Sequence, residues 1–266
     1  MVNSQGSEEP TEPQNTPTLV GPVPLKTTDP TSVGGFELLG RIGAGRQAVV
    51  YLGRNNRGES AAVKVLRAER RHDRRSLEAF EREVETLRLA PDSLSPRLYS
   101  AGWDGEHRYT SSEYLTGPSL EELIRADGPL NGADLRQFAV SISQLVVELH
   151  RLRIHHGDIK PRHVLTGPGG RLFLIDFGVA AIGDGSLRRR DLFSLASVIL
   201  YAAGGRFPYE GTPLEISTRT MGGRPEVGVL PKPWRDTLRK CLEPNRRFCP
   251  SAAGVLRTVG RYGSWA

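Results

Sequence analysis

Cysteine is scarce in this sequence, with only Cys241 and Cys249 among 266 residues. Two such thiols make neither a disulfide framework nor a metal-ligand spacing, which excludes a disulfide-stapled secreted scaffold and a zinc module. A reducing, cytoplasmic setting is therefore expected. Long apolar runs are also missing. The best of them, Leu192 to Ala203, is a dozen residues, short of the roughly 18 that a membrane span requires. No basic-then-apolar secretory pattern opens the chain, so no leader is expected. Charge of one sign is only mildly in excess, at +6. A solvated basic surface or affinity for anionic nucleotides accounts for that excess, and no nucleic-acid partner is expected.

What is present is an ordinary globular balance, 38% hydrophobic and 25% charged, in a chain long enough for one two-lobed domain or two small ones. Residues 1 to about 35 stand apart. Pro10, Pro13, Pro17, Pro22, Pro24 and Pro30 recur among threonines and serines without apolar periodicity, which predicts a disordered tail. Thr16, Thr18, Thr27 and Thr28 make it either a docking or phosphorylation segment or a plain solubilising leader.

From Phe36 the pattern reads strand, glycine turn, strand, turn, strand. Gly43 and Gly45 sit in the first turn, where backbone amides without side chains approach phosphates. In the third strand Ala62 and Lys64 share one face, with Val63 and Val65 on the other. Arg70 to Arg75 is a solvated run, after which Leu77, Phe80, Val84 and Leu87 predict a helix. Glu83 lies on its inward face, where a carboxylate needs a cation, and Lys64 is the candidate. Glu81 and Glu85 compete for that role but point further from the apolar stripe. Two more strands, RLYSAGWDG and HRYTSSEYL, close a small sheet. A short helix in SLEELIRA and a long one from Asn131 to Arg153, with a buried stripe through Leu135, Phe138, Ile142, Leu145, Val146, Leu149 and Leu152, begin a helical region.

Between His155 and Gly178 the apolar pair Val164-Leu165 and the run Leu172 to Ile175 flank a Gly-Pro-Gly-Gly turn. Two strands joined there carry Asp158 and Asp176 to one end of the pair. Phosphoryl transfer requires such a pair, one carboxylate to orient an attacking hydroxyl and one to hold magnesium against the phosphates.

The run His156-Gly157-Asp158-Ile159-Lys160-Pro161-Arg162-His163 resembles the H-R-D-L-K-P-x-N catalytic loop of eukaryotic-type (Hanks-type) Ser/Thr protein kinases. Asp176-Phe177-Gly178, eighteen positions on, matches their D-F-G. The resemblance implies an α+β, bilobal fold, with a small antiparallel-sheet lobe over 36–112 and a mainly helical lobe over 113–266. It implies an ATP-dependent phosphotransferase using Mg2+. Asp158 is then the hydroxyl-orienting base, Lys160 meets the transferred phosphate and Asp176 holds metal. Lys64, read from Ala61-Ala62-Val63-Lys64 against V-A-I-K, takes the α- and β-phosphates and pairs with Glu83. Gly43, Gly45, Val50, Ala62 and Leu165 are nucleotide-contacting positions, with Ala48 where a third glycine is usual. Ser112 is the gatekeeper, and Glu113-Tyr114-Leu115 is the hinge that receives adenine.

Three departures accompany the resemblance. Gly157 replaces an arginine that binds activation-loop phosphate, which implies no such switch. His163 replaces the asparagine that holds a second magnesium. As an imidazole ligand it shifts preference toward Mn2+, and the alternative is a hydrogen bond within the loop. Only residues 179 to 190 separate the D-F-G from Asp191, so no peptide-docking strand or A-P-E is found. Asp191 resumes the family pattern in DLFSLASVILYAAGGRFPY. In the closing CLEPNRRFCPSAAGVL, Cys249 stands where the arginine partner of the A-P-E glutamate belongs. Loss of both partners of a buried ion pair can be neutral, so a trimmed architecture is expected. Arg188-Arg189-Arg190 beside the catalytic loop either attract an anion or are a solvated run. Three functions stay open: a Ser/Thr kinase acting on protein substrates, a kinase for a small or carbohydrate substrate, and a pseudokinase that binds nucleotide or a regulatory protein partner.

Overall fold

The computed structural model describes residues 21–183, 185–207, 225–243 and 249–261. Thr16 and Thr18, the end of the RFPY stretch and the centre of the closing motif lie outside the described residues.

The small lobe is an antiparallel sheet of β1 (Ser32–Val33), β2 (Phe36–Ala44), β3 (Ala48–Asn55), β4 (Ser60–Leu66), β5 (Leu98–Asp104) and β6 (His107–Glu113), in the order β1-β2-β3-β4-β6-β5. Alternation along β4 sends Ala61, Val63 and Val65 into a core with Val33, Phe36, Leu38, Val49 and Tyr51. The same alternation leaves Ala62 and Lys64 on the opposite face. Being central, β4 is held on both sides, with Lys64 opposite Val50 on β3 and Thr110 on β6.

Helix α1 (Arg74–Leu89) packs Phe80 and Val84 against Leu66. Asp73 caps its start by accepting the Ser76 N–H at 3.0 Å. It stops at Ala90, which is extended because Pro91 follows. Glu83, buried with the same stripe, is carried toward β4.

The expected tail boundary at residue 35 is corrected by the structure, since residues 21–35 belong to the small lobe. Val23 and Arg41 exchange backbone hydrogen bonds of 2.8 and 2.7 Å. Gly40 permits that crossing, since a Cβ there would stand 2.8 Å from Pro22 Cβ and 2.9 Å from the Val23 oxygen. Asp29 then accepts from Arg41 Nε at 2.6 Å, the Tyr51 hydroxyl at 2.8 Å and the Lys26 N–H at 2.8 Å. This segment is fastened by an isolated bridge and one buried carboxylate, neither of which leaves an apolar period in the sequence.

The large lobe contains α2 (Leu120–Asp127), α3 (Gly132–Arg151), α4 (Arg188–Gly204), α5 (Lys232–Leu242) and α6 (Ala252–Gly260). Ser119 and Glu122 form a reciprocal capping box on α2. The stripe of α3 meets α4 and α6, and α5 packs on those two, in one core with Ile142, Leu149, Leu195, Ile199, Trp234, Leu238 and Val255. Leu152, expected on that stripe, is instead exposed, because the helix ends at Arg151 and Leu152 is its cap. The apolar run from Leu192 to Ala203 is thus a core helix, and no described helix is long and apolar enough to cross a membrane.

After α3 the left-handed Arg153 (φ 59°) turns the chain into β7 (Ile154–His155), which pairs with β10 (Ala181–Ile182). Between them β8 (Val164–Thr166) and β9 (Leu172–Leu174) form the expected hairpin. Its turn requires φ of 68° at Gly169 and 73° at Gly170, which glycine adopts without strain.

Candidate active site

The face of β4 that carries Ala62 and Lys64 and the inner face of α1 bring a cation and an acid together. Lys64 Nζ lies 2.5 Å from Glu83 Oε2 and 3.2 Å from Asp176 Oδ1, so one ammonium from the small lobe is shared by two carboxylates, one from each lobe. Burial disfavours the charged amine, but Glu83 and Asp176 outweigh it and hold the Lys64 pKa above its ordinary value. Asp176 is held well below the usual carboxylate range, chiefly by Lys64 against the opposing effect of burial. Glu83 shifts upward, because burial and the neighbouring Asp176 work against its pairing with Lys64.

Asp176 itself has φ of 66°, an uncommon backbone state for a residue with a Cβ. Its neighbour Phe177 fixes it, being fully buried against the His156 ring at 4.6 Å between centroids. His156 in turn donates from Nε2 to the Ile175 carbonyl at 3.1 Å and accepts the Asp158 N–H on Nδ1 at 3.2 Å. The ring is neutral, its pKa lowered by burial. One imidazole therefore ties the loop carrying Asp158 to the strand end carrying Asp176.

Asp191 supports the same loop from below. Its carboxylate accepts the His156 N–H at 3.0 Å and the Gly157 N–H at 2.7 Å, and it meets His150 Nε2 at 3.0 Å. Gly157 has φ of 75°, and a Cβ there would fall 2.6 Å from Leu187 Cδ1. The position is thus shaped for glycine.

His163 stands between the two aspartates. Its Nδ1 lies 3.0 Å from the Asp158 carbonyl oxygen, which only accepts, so Nδ1 carries the proton and Nε2 keeps its lone pair. That Nε2 faces Asp176 Oδ2 at 3.4 Å. Burial outweighs the two aspartates and pulls the ring's pKa down to about 4, so it is neutral near pH 7. Asp158, His163 and Asp176 each offer one ligand atom within 4.8 Å of the others. Both readings of His163 meet here, a hydrogen bond inside the loop through one nitrogen and a free ligand atom on the other.

Asp158 is partly open to solvent and is joined by Lys160 Nζ at 2.6 Å, with Arg190 at 4.0 Å. The three arginines open α4, where cations run against the helix dipole. Arg190 turns to Asp158, and Arg189 donates to the Lys240 carbonyl at 3.3 Å.

Of the glycine turn, Gly43 pairs with Val50 in register. The Gly45 N–H is bonded to the Ala48 oxygen at 2.9 Å, and the Gly45 carbonyl accepts Arg67 Nε at 2.8 Å. The turn is drawn shut on itself in this state. Ala62 sits opposite Ser112 and shares the face of Lys64. Glu113 ends β6 with its N–H on the Arg97 oxygen at 2.8 Å, and Leu115 beyond it is buried. Leu165 lies in the hairpin, bridged to Ser119.

The structure thus draws Lys64, Glu83, Asp158, Lys160, His163 and Asp176 into one connected group. It places Gly43, Gly45, Val50, Ala62, Glu113, Leu115 and Leu165 by backbone register, without side-chain bonds to that group. Sequence reasoning missed the bracing by His156 and Asp191 and the clamp of Arg67 on Gly45. Asp191 was visible as the first residue of a matching helix, but its two amide bonds depend on a loop 34 and 35 residues upstream.

Residues 36–204 match the family model described as "Protein kinase domain". Among curated relatives, the "Probable serine/threonine-protein kinase PkwA" of Thermomonospora curvata is 31% identical over 88% of this chain and 35% of its own length. The "Serine/threonine-protein kinase AfsK" of Streptomyces griseus is 30% identical over 82% of this chain and 30% of its own. The "Serine/threonine-protein kinase PrkC" of Bacillus subtilis is 26% identical over 67% of this chain and 32% of its own. The chain spans about a third of the length of these relatives. With a bilobal fold, a lysine and two aspartates meeting across its lobes, and a family match over more than half its length, the chain belongs to the protein kinase family.

Proposed function

We propose that the cleft binds ATP with a divalent cation and transfers the γ-phosphate to a serine or threonine hydroxyl of a protein substrate, in a cytoplasmic setting. The observation that carries this reading is Lys64 Nζ held between Glu83 and Asp176, because it joins the small lobe's phosphate ligand to the large lobe's metal ligand in one charge network.

Each residue then has a task. Lys64 offers its ammonium to the α- and β-phosphates, and Glu83 keeps the long side chain pointed there. Gly43 and Gly45 cover the phosphates once the hydrogen bond from Gly45 to Ala48 opens. Ala62, Val50 and Leu165 wall the adenine, with Glu113 and Leu115 presenting backbone groups. Asp158 accepts the acceptor hydroxyl's hydrogen bond and receives its proton as the phosphoryl group arrives, and Lys160 balances charge on that group.

Asp176 and His163 Nε2, with Asp158 near them, fit a divalent cation, since an unprotonated ring nitrogen faces a carboxylate oxygen with nothing to donate between them. Bound there, such an ion neutralises charge on the phosphates. A nitrogen in the donor set favours Mn2+ over Mg2+ relative to an amide oxygen.

One observation favours the second reading, nucleotide binding without transfer: Arg190 and Lys160 both approach Asp158, the group that must receive the proton. Radiolabelled ATP with the purified chain, generic protein acceptors and either Mg2+ or Mn2+ separates the two. Label on itself or on protein acceptors supports the kinase. Thermal stabilisation by ATP with no transfer to any acceptor supports the second reading, and label only in a lipid or sugar fraction moves the acceptor class.

A further inference from the structure

The two carboxylate oxygens of Asp158 are used differently. Oδ2 accepts from Lys160 Nζ at 2.6 Å. Oδ1 takes no hydrogen bond among the described residues and is faced by the Arg190 guanidinium at 4.0 Å, too far to bond and near enough to attract. Oδ1 is therefore the oxygen left for an acceptor hydroxyl, and whatever carries that hydroxyl meets Arg190. Only residues 179 to 190 lie between Gly178 and Asp191, so the chain enters α4 directly beside the loop that bears Asp158.

Arg190 can serve a ligand from outside. Its side chain is 57% exposed, against 31% for Asp158, and it pairs with no other carboxylate among the described residues. Asp191, next in the chain, does not neutralise it, being buried and committed to the His156 and Gly157 amides. Arg189 turns away to the Lys240 carbonyl. Arg188 and, in the catalytic loop itself, Arg162 are exposed and form no ion pair among the described residues. The loop and the helix start beside it thus carry more cations than described acids to balance them. Distance then sets where an acid from outside must stand. A hydroxyl about 2.7 Å from Oδ1 lies within about 7 Å of the guanidinium. In an extended segment, residues two apart project from the same face at a spacing of about 6.6 Å.

We propose that Arg190 selects the acceptor: the substrate is an acidic segment, with Asp or Glu two positions from the serine or threonine presented to Asp158. The proposal rests on the phosphotransfer reading for what happens to that hydroxyl, and adds the class of peptide that delivers it. Without substrate, Arg190 lies over Asp158 Oδ1. An acidic side chain draws the guanidinium outward into an ion pair and leaves the oxygen to the hydroxyl. A neutral or basic segment offers Arg190 nothing in exchange, so the guanidinium stays over Oδ1 and competes with the hydroxyl for it. The contact that holds Asp158 back in the empty cleft is thereby the one that reads the substrate.

The test uses the whole chain with ATP, Mg2+ or Mn2+, and serine peptides in which the residues two before and two after the serine are both Glu, both Ala or both Lys. The Glu peptide should show a several-fold higher kcat/KM than the Ala peptide and the Lys peptide a lower one, with the gap narrowing as salt is raised. Arg190→Gln should flatten this order and Arg190→Glu should invert it, whereas a general loss of structure would lower all three peptides alike. Fluorescence anisotropy of the labelled Glu peptide, read without nucleotide, follows the same contact apart from transfer, and binding should weaken several-fold in Arg190→Gln. Binding that depends on Arg190, with no label on any peptide, would support the acidic-peptide contact while removing the phosphotransfer reading. Equal kcat/KM for the three peptides, an order unchanged in Arg190→Glu, or peptide binding insensitive to Arg190→Gln would each overturn the proposal.

Discussion

His163 presents Nε2 to Asp176 Oδ2 across 3.4 Å, because its other nitrogen is committed to the carbonyl of Asp158. Two electron-rich atoms facing each other call for a cation between them. If that cation is the phosphate-bound metal, His163→Asn replaces a nitrogen ligand by an amide oxygen, and the ratio of Mn2+-supported to Mg2+-supported transfer should fall several-fold. Phosphate transfer measured for both proteins over a series of the two metals checks this. An unchanged ratio would return His163 to a purely structural role.

Lys64, Glu83 and Asp176 form a chain in which each member acts differently. If Lys64 holds the α- and β-phosphates as proposed, Lys64→Met should reduce transfer by roughly a hundredfold or more. Asp176→Asn should do the same while also weakening metal-dependent ATP binding. Glu83→Gln keeps the shape and one hydrogen-bond acceptor, so its effect should be smaller than that of Lys64→Met. Asp158→Asn should spare ATP binding, as read by thermal shift, and abolish transfer. Equal loss of ATP binding in Asp158→Asn and Lys64→Met would contradict the separate roles.

Much of this site was legible in the sequence because its members are fixed locally. Lys64 is placed by the two-residue period of a strand and Glu83 by the three- and four-residue period of a helix, and the turn at Gly169 and Gly170 is written in glycine. The pairing of Lys64 with Glu83 followed from the cost of burying an acid alone. What stayed hidden depends on distant partners. Asp29, in a proline-rich stretch, is ordered by Arg41 and Tyr51, and composition reports only the lack of apolar periodicity around it. Gly157 looked like a lost arginine, whereas its φ of 75° and the nearby Leu187 side chain make it a conformational requirement.

That requirement gives a prediction in the opposite sense to a simple restoration. Gly157→Arg returns the family's residue, yet its Cβ would enter the space of Leu187 Cδ1 and stand 3.1 Å from the Val179 oxygen. Even Gly157→Ala carries the strain of a left-handed backbone, of order 1–3 kcal/mol. Both variants should unfold at lower urea concentration than the wild type, and Gly157→Arg should not raise activity. Pairing it with Leu187→Ala should recover part of the stability. A Gly157→Ala as stable as wild type would show that the loop relaxes freely.

Asp29 makes the stability of the small lobe depend on pH. Burial alone would raise its pKa, but hydrogen bonds from Arg41, the Lys26 amide and Tyr51 overcome this and hold it at about 2, against 3.8 for the free side chain. A carboxylate with a folded pKa below its unfolded one contributes stability above the unfolded value and loses it as pH falls through the folded value. The contribution, about 2 kcal/mol from that difference, should therefore be complete at pH 6 and decline from about pH 4 toward pH 2. Asp29→Asn removes the charge and leaves Arg41 half served. Urea unfolding of wild type and Asp29→Asn should differ most at pH 6, and the gap should narrow as the pH is lowered through 4 to 3. A gap that stays constant over that range would mean the residue holds the segment by shape and neutral hydrogen bonds, and that the charge on Asp29 contributes nothing to fastening residues 21–35 to the sheet.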